Sequence, residues 1–171
     1  LYEFKPEFVI IFQSVQKLYK RFSKSDKISF ASKHIEEVNS FYSALNAGLS
    51  PKIIYFNFPE INDNVFGNYS NKLERSFIYQ LRKINFELMG LSIKCKNLNI
   101  FDYCVINSQF GKNFTFDPKV YYTSDMVLSL DVLPFVSKNI IDIIFSLTGR
   151  FKKCLILDLD NTMWGGIIGD D

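Results

Sequence analysis

Two aspartates near the end of the sequence, Asp158 and Asp160, have the residue type and spacing that most directly suggest chemistry. They follow an apolar run at 154–157, which is typical of a strand buried on both faces of a parallel sheet. Residues that leave such a strand reach the edge where α/β proteins bind their ligands. Two carboxylates there suit phosphoryl transfer, because one can attack phosphorus while the other serves as acid and base.

A divalent cation fits the same pair of carboxylates. An anionic nucleophile and a phosphate group repel each other, and a hard cation between their oxygens offsets that repulsion. The sequence therefore predicts Mg²⁺ as cofactor. The alternative is that both aspartates only cap the turn after the strand, but the apolar run, the string DLDNT and the following WGG together favour a catalytic loop.

The string KKCLILDLDNTMWGGIIGDD resembles the first motif, hhhhDxDxT, of the haloacid dehalogenase (HAD) superfamily, and its WGG resembles the FkbH-like branch, subfamily IIIC. The resemblance implies that Asp158 is the nucleophile and a metal ligand. It also implies that Asp160 is the acid/base, with its backbone carbonyl on the metal. Thr162 would orient the loop and contact the substrate. Other HAD motifs would follow Asp171, so we expect this chain alone to be inactive.

The same resemblance implies what the intact protein does. FkbH-like proteins are expected to be phosphatases, phosphotransferases or transferases of a three-carbon glyceryl-type group. The implied partners are an acyl carrier protein or a phosphorylated small molecule, in polyketide or surface-polysaccharide biosynthesis. The residues themselves leave open whether water or a thiol accepts the transferred group.

Upstream of the motif, short apolar runs alternate with longer segments of helical period, which predicts an α/β fold with a mostly parallel sheet. The predicted strands lie at 8–12, 52–58 and 98–103, and the predicted helices at 14–22, 29–47, 73–89 and 128–147. No clear periodicity occurs between 104 and 122. We predict a boundary at 148–153, so that residues 1–150 form one domain and residues 151–171 begin a truncated HAD-like domain.

FkbH-like proteins carry an SGNH-hydrolase-like domain before the HAD domain, and the βα alternation and FDPKVYY segment resemble it. This implies a three-layer α/β/α, SGNH- or flavodoxin-like arrangement, in which the strand bearing the hydrolase serine would precede Leu1. The hydrolase DxxH pair is incomplete, because Val120 stands three residues after Asp117 and the one histidine, His34, lies upstream. Without that base, the alternative function is a noncatalytic module that binds a carrier protein or a carbohydrate.

Polar residues after the second predicted strand are candidates for ligand contact. Asn57 ends that strand and is our predicted substrate-binding residue in this domain, although ordinary turn chemistry explains such residues equally well. The turn continues with Asn62, Asp63, Asn64 and Gly67. Tyr121 and Tyr122 could stack on a sugar or a pantetheine chain, or simply pack.

Composition and charge exclude several classes. The chain is 47% hydrophobic and 22% charged, as in folded proteins, and its net charge of +2 is too small for a nucleic-acid or membrane surface. Basic residues at 17–24 have helical spacing and indicate a solvated helix face. Three cysteines without CxxC spacing, and the lack of a signal peptide or an apolar run of about 18 residues, predict a soluble cytoplasmic protein.

Overall fold

The computed structural model describes residues 3–61 and 65–150, so the predicted strand and loop after residue 150 lie outside the described residues. The chain divides into two units, Leu1–Ser137 and Lys138–Asp171, and the domain boundary at 148–153 stays a prediction. The strands are β1 (Phe8–Ile11), β2 (Lys52–Phe56) and β3 (Leu98–Phe101). The helices are α1 (Val15–Lys24), α2 (Phe30–Gly48), α3 (Phe77–Lys94), α4 (Tyr103–Phe110), α5 (Lys112–Thr115), α6 (Pro118–Ser124) and α7 (Leu133–Leu147), with a 3₁₀ helix at Gly67–Lys72.

The three strands form a parallel sheet in the order β1-β2-β3, which confirms the predicted α/β class. Ile53 lies between Val9 and Leu98 in the strand register, and Tyr55 lies between Ile11 and Ile100. β2 is hydrogen-bonded on both sides, and its residues from Ile53 to Phe56 are all buried. This is why β2 reads as an unbroken apolar run rather than an alternating one. The third layer and its SGNH-like arrangement stay predictions.

Helices α1, α2 and α3 contribute the apolar core on one face of the sheet. Ile53 and Leu98, which are neighbours in register, belong to a single cluster with the buried positions of these helices, and Val9, the other neighbour of Ile53, packs against this cluster. The helical members include Leu18, Phe22, Phe30, Val38, Leu81, Ile84 and Leu88. Each such side chain contributes about 1.5–3 kcal/mol when it is removed from water. Packing of the apolar faces of α2 and α3 thus holds these helices against the sheet.

The observed ends of some elements differ from the predicted ends where a polar side chain caps a helix. α3 begins at Phe77 rather than Leu73, because the Ser76 hydroxyl accepts a hydrogen bond from the Tyr79 N–H. β3 ends at Phe101 rather than Tyr103, because Asp102 caps α4 through the Val105 N–H. α2 ends at Gly48, one residue beyond the predicted end, and the residue with positive φ is Ser50, at 49°, directly before Pro51.

The structure adds helices in one unassigned segment and moves the start of the last helix. The segment 104–122, where no periodicity was found, contains α4, α5 and α6, which have between four and eight residues and are too short to show a repeating apolar face. α7 begins at Leu133 rather than at Leu128, and Pro134 occupies its first turn, where a missing N–H costs nothing. Within the described residues, no helix is long and apolar enough to cross a membrane.

Gln80 ties the beginning of α2 to the turn before α3. Its side chain is fully buried, its Oε1 accepts a hydrogen bond from the Ala31 N–H at 2.8 Å, and its Nε2 donates to the Glu74 carbonyl at 2.7 Å. The Ala31 N–H belongs to the first turn of α2 and has no acceptor within its own helix. Gln80 supplies that acceptor inside the core.

His34 is buried on the sheet side of α2. Its Nε2 lies 3.2 Å from the Tyr55 hydroxyl, and its ring meets Phe58 edge to face. Its buried Nδ1 has no hydrogen-bond partner among the described residues. Burial lowers the pKa of His34 to about 4, with a smaller contribution from Arg21. His34 is therefore a neutral core residue.

The shift in the His34 pKa makes stability depend on pH. An unfolded histidine binds a proton below about pH 6.5, whereas folded His34 stays neutral down to about pH 4. Acidification between these values favours the unfolded chain, by roughly 3 kcal/mol at most. Urea titrations at pH 7 and at pH 4.5 measure the unfolding free energy. We expect this free energy to decrease more between pH 7 and pH 4.5 in the wild type than in His34→Gln. Equal losses in the two proteins would contradict a neutral buried His34.

Candidate functional site

The residues of the predicted catalytic loop, Asp158, Asp160 and Thr162, lie outside the described residues, and their roles stay predictions. In the described part of the chain, no group of three or more His, Cys, Asp or Glu side chains could hold a metal ion. What the structure does describe is the edge of the sheet formed by the carboxyl ends of the three strands. Asn57 lies at this edge, directly after β2.

The Asn57 side chain links the end of β2 to the end of β3. Its Nδ2 donates to Asp102 Oδ1 at 2.7 Å, and its Oδ1 accepts from the Cys104 N–H at 3.1 Å. Its backbone N–H donates to the Phe101 carbonyl at 3.1 Å. Both polar atoms of the amide therefore serve the fold. One N–H of the amide remains for another acceptor, so substrate contact by Asn57 stays a prediction.

The side-chain amide of Asn85 hydrogen-bonds to both backbone polar groups of Phe58, the residue after Asn57. Asn85, on α3, accepts a hydrogen bond from the Phe58 N–H at 3.0 Å and donates to the Phe58 carbonyl at 2.8 Å. The Cys104 thiol also donates to that carbonyl, at 3.1 Å. Burial raises the pKa of the Cys104 thiol to about 11, and the charges of Asp102 and Glu60 act in the same direction. This thiol is a structural donor rather than a nucleophile.

The turn after β2 is held against α3 by Arg82. The guanidinium donates to both carboxylate oxygens of Glu60, at 2.6 and 2.9 Å, and also to Asn71 Oδ1. The hydrogen bond from Arg82 lowers the pKa of Glu60. Both partners are about half exposed, so the pair positions the turn more than it stabilises the fold. The predicted turn residues Asn62, Asp63 and Asn64 lie outside the described residues, and Gly67, with φ 52°, begins the 3₁₀ helix.

Two cavities open at this edge of the sheet. The larger has a volume of about 520 Å³ and the smaller about 150 Å³. Both are lined by Phe12, Gln13, Ser14 and Val127, so we treat them as one cleft. The other residues lining the larger cavity are Lys17, Tyr121, Asp125, Met126, Leu128 and Leu133. Those lining the smaller are Val15, Gln16, Pro59, Glu60, Ile61, Tyr103, Asn107, Lys112, Thr115 and Phe116.

The first turn of α1 forms part of the wall of this cleft. Ser14 is buried and caps α1, its Oγ accepting from the Lys17 N–H at 3.2 Å. The one histidine of the sequence, His34, is buried in the core, so Ser14 has no histidine base. The serine and histidine of a hydrolase are therefore not brought together in this cleft. Sequence reasoning missed these residues. The signal was a serine directly after an apolar strand and before a helix.

The FDPKVYY segment contributes one cleft residue. Asp117 caps α6, its carboxylate accepting from the Lys119 N–H at 2.8 Å, which explains the aspartate without catalysis. Tyr121 lines the larger cavity and packs against Phe116 with ring centroids 5.4 Å apart. Tyr122 is 85% exposed. Only the first of the two tyrosines can therefore reach a ligand in the cleft.

The parallel sheet makes this an α/β domain, with a cleft at the carboxyl ends of its strands, the position where such sheets commonly place ligands. The chain belongs to the family of FkbH N-terminal domains, whose profile matches residues 1–145. It is also similar to the crystal structure of the N-terminal part of the protein BF1531 from Bacteroides fragilis, described as containing a phosphatase domain complexed with Mg. The identity is 43% and the TM-score is 0.87, over 99% of this chain and 45% of that one. No curated protein matches the chain.

A charge placed at Asn57 tests the link between the strand ends. Asn57→Asp would put a carboxylate where the amide now lies 2.7 Å from Asp102, and the repulsion should lower the unfolding free energy by roughly 1–2 kcal/mol at pH 7. Repulsion raises the pKa of such a pair above its usual value of about 4, so the loss should shrink as the pH falls through that raised pKa and should be gone below about pH 4.

The matched control is Asn113→Asp, the same change at an exposed position of α5. Unfolding in urea, followed by circular dichroism, measures both variants. Equal stability of the two variants at pH 7 would contradict a stabilising role for the link between Asn57 and Asp102.

Proposed function

We propose that the intact protein is a Mg²⁺-dependent phosphatase or phosphotransferase of the HAD type, to which this chain contributes the N-terminal domain and the catalytic aspartate loop. One observation carries the proposal. The sequence DLDNT, with its preceding apolar run, lies directly after an FkbH N-terminal domain. A 43% identical solved structure with this domain is described as containing a phosphatase domain with Mg. The chain covers 45% of that solved chain, so the activity of the whole protein is inferred.

The proposed roles follow from the chemistry of carboxylates. Asp158 attacks phosphorus, so that an Asp158–phosphorus bond forms while the bond to the leaving oxygen breaks. Asp160 gives its proton to that leaving oxygen, and later takes one from the water or thiol that releases the phosphoryl group. Thr162 orients the loop. Asp158 and Asp160 supply hard oxygen donors that fit Mg²⁺, which when bound offsets the charge of nucleophile and phosphate.

The resemblance to FkbH-like proteins supports a finer proposal. The acceptor is an acyl carrier protein, and the group transferred is phosphoryl or a three-carbon glyceryl-type unit, in polyketide or surface-polysaccharide biosynthesis. We further propose a cytoplasmic location, which agrees with the free thiols of Cys95 and Cys104.

A second function concerns the N-terminal domain alone. We propose an SGNH-like, three-layer module that binds a carrier protein or a carbohydrate without reacting with it. The observation that favours it is the cleft at the carboxyl ends of the strands, where Ser14 has no histidine base. The two functions are compatible, because a binding module can deliver a substrate to a catalytic domain of the same protein.

Replacement of the proposed nucleophile tests the first function. Asp158→Asn in the full-length protein should lower the rate of p-nitrophenyl phosphate hydrolysis at least about a thousandfold, because an amide cannot form the acyl phosphate. The matched control is Asp131→Asn, at an exposed position, and it should leave the rate unchanged. Removal of Mg²⁺ with EDTA should abolish the wild-type rate, and added Mg²⁺ should restore it.

Residues 1–171 alone should show no such hydrolysis, because the other HAD motifs would follow Asp171. Full activity in the Asp158→Asn variant, or robust activity from residues 1–171, would show the assignment to be wrong.

A further inference from the structure

Helix α3 carries an apolar stripe on the side that faces solvent. Its buried residues form the opposite side, against the core: Phe77, Gln80, Leu81, Ile84 and Leu88. The stripe consists of Phe86, Met89 and Ile93, which follow one another at steps of three and four residues and so lie in one line along the helix. They are 72%, 54% and 85% exposed. A contiguous exposed apolar surface, unlike a single exposed residue, indicates an interaction surface.

Gly90 lies within this stripe, between Met89 and Ile93. A glycine inside a helix weakens the helix relative to alanine. Neither the backbone nor the space around Gly90 requires a glycine, because its φ is not positive and nothing lies within 4 Å of the position that a Cβ would take. What the missing side chain does allow is the close approach of another backbone to the outer side of α3.

Two opposite charges flank the stripe on one side. Glu87 and Lys94 are seven residues apart, so they lie two turns apart on the same side of the helix. Neither has an ion-pair partner among the described residues. The point midway between them lies at Gly90 and Leu91. A second α3 packed antiparallel about that point would place Glu87 of each copy level with Lys94 of the other, on the same side of the pair.

We propose that the protein forms a symmetric dimer in which the α3 helices of two copies pack antiparallel, with Gly90 beside the twofold axis. The three apolar residues of each stripe then cover those of the other, and two Glu87–Lys94 pairs form between the copies. Each copy uses the same surface, so the assembly closes at two. One pair of helices buries less area than a standard interface, and we therefore expect a Kd in the micromolar range. The contact makes no use of Asp158 and is independent of the proposed enzyme activity.

Sedimentation equilibrium of the full-length protein tests the dimer. Between about 1 and 100 μM, the mass should rise from one copy towards two. Gly90→Leu places a side chain where the two backbones approach, and it should raise the Kd at least about tenfold. The position is open within one copy, so this variant should keep the wild-type fold by circular dichroism. The matched control, Ser40→Leu on the exposed side of α2, should dimerise as the wild type does.

Charge reversal tests the antiparallel direction. Glu87→Lys and Lys94→Glu each bring like charges level with one another at two places in the dimer, so each should raise the Kd about tenfold. The double variant exchanges the two signs, re-forms both pairs and should recover the wild-type Kd. Glu36→Lys, at an exposed position of α2, is the matched control and should have no effect. These changes at the helix surface keep the test decisive if Gly90→Leu folds poorly.

A single copy throughout this concentration range, or a dimer whose Kd does not respond to these substitutions, would overturn the proposal. Failure of the double variant to recover the wild-type Kd would also overturn it. If another part of the same polypeptide covers the stripe, the substitutions would lower the Tm of a monomer instead, and the dimer would be wrong. Asp158→Asn should dimerise like the wild type, so the dimer and the enzyme assignment can fail separately.

Discussion

The parallel hydrogen bonding of β2 to β1 on one side and to β3 on the other is the constraint on which the described structure depends. Parallel strands place all their carboxyl ends at one edge, and the chain must return over the sheet through helices before each new strand. The return helices include α1, α2 and α3, which supply the core on one face. The residues that follow each strand gather at the common edge, and the cleft forms there for that reason.

The polar side chains at this edge divide into two groups. Backbone groups beyond the last strand pair still need partners, and a buried group without one is costly. Asn57 and Asn85 meet this need for the residues after β2 and β3, which leaves these amides little capacity for anything else. Gln16 Oε1, by contrast, is buried without a hydrogen-bond partner among the described residues. An asparagine after a strand is thus weaker support for a ligand site than its position in the sequence suggests.

How much could be predicted from the sequence depends on the length over which a pattern extends. α2 and α3 were recognised because their apolar residues recur over 19 and 18 residues, and β2 because its run is unbroken. α4, α5 and α6 were missed because each has fewer than three full turns. The caps of α4 and α6, Asp102 and Asp117, were visible as aspartates preceding them, although an isolated cap does not predict a helix. The cleft could not be predicted from the sequence, because its lining residues, Gln16 and Val127 among them, lie far apart in the chain.

The surroundings of Cys104 at the same edge of the sheet determine how reactive its thiol is. With a pKa of about 11, roughly one such thiol in ten thousand is ionised at pH 7. Disulfide exchange proceeds through the thiolate, so this sulfur is a slow partner for oxidants and for other thiols. A disulfide-bearing molecule that reaches this edge is therefore captured only slowly as a mixed disulfide with Cys104.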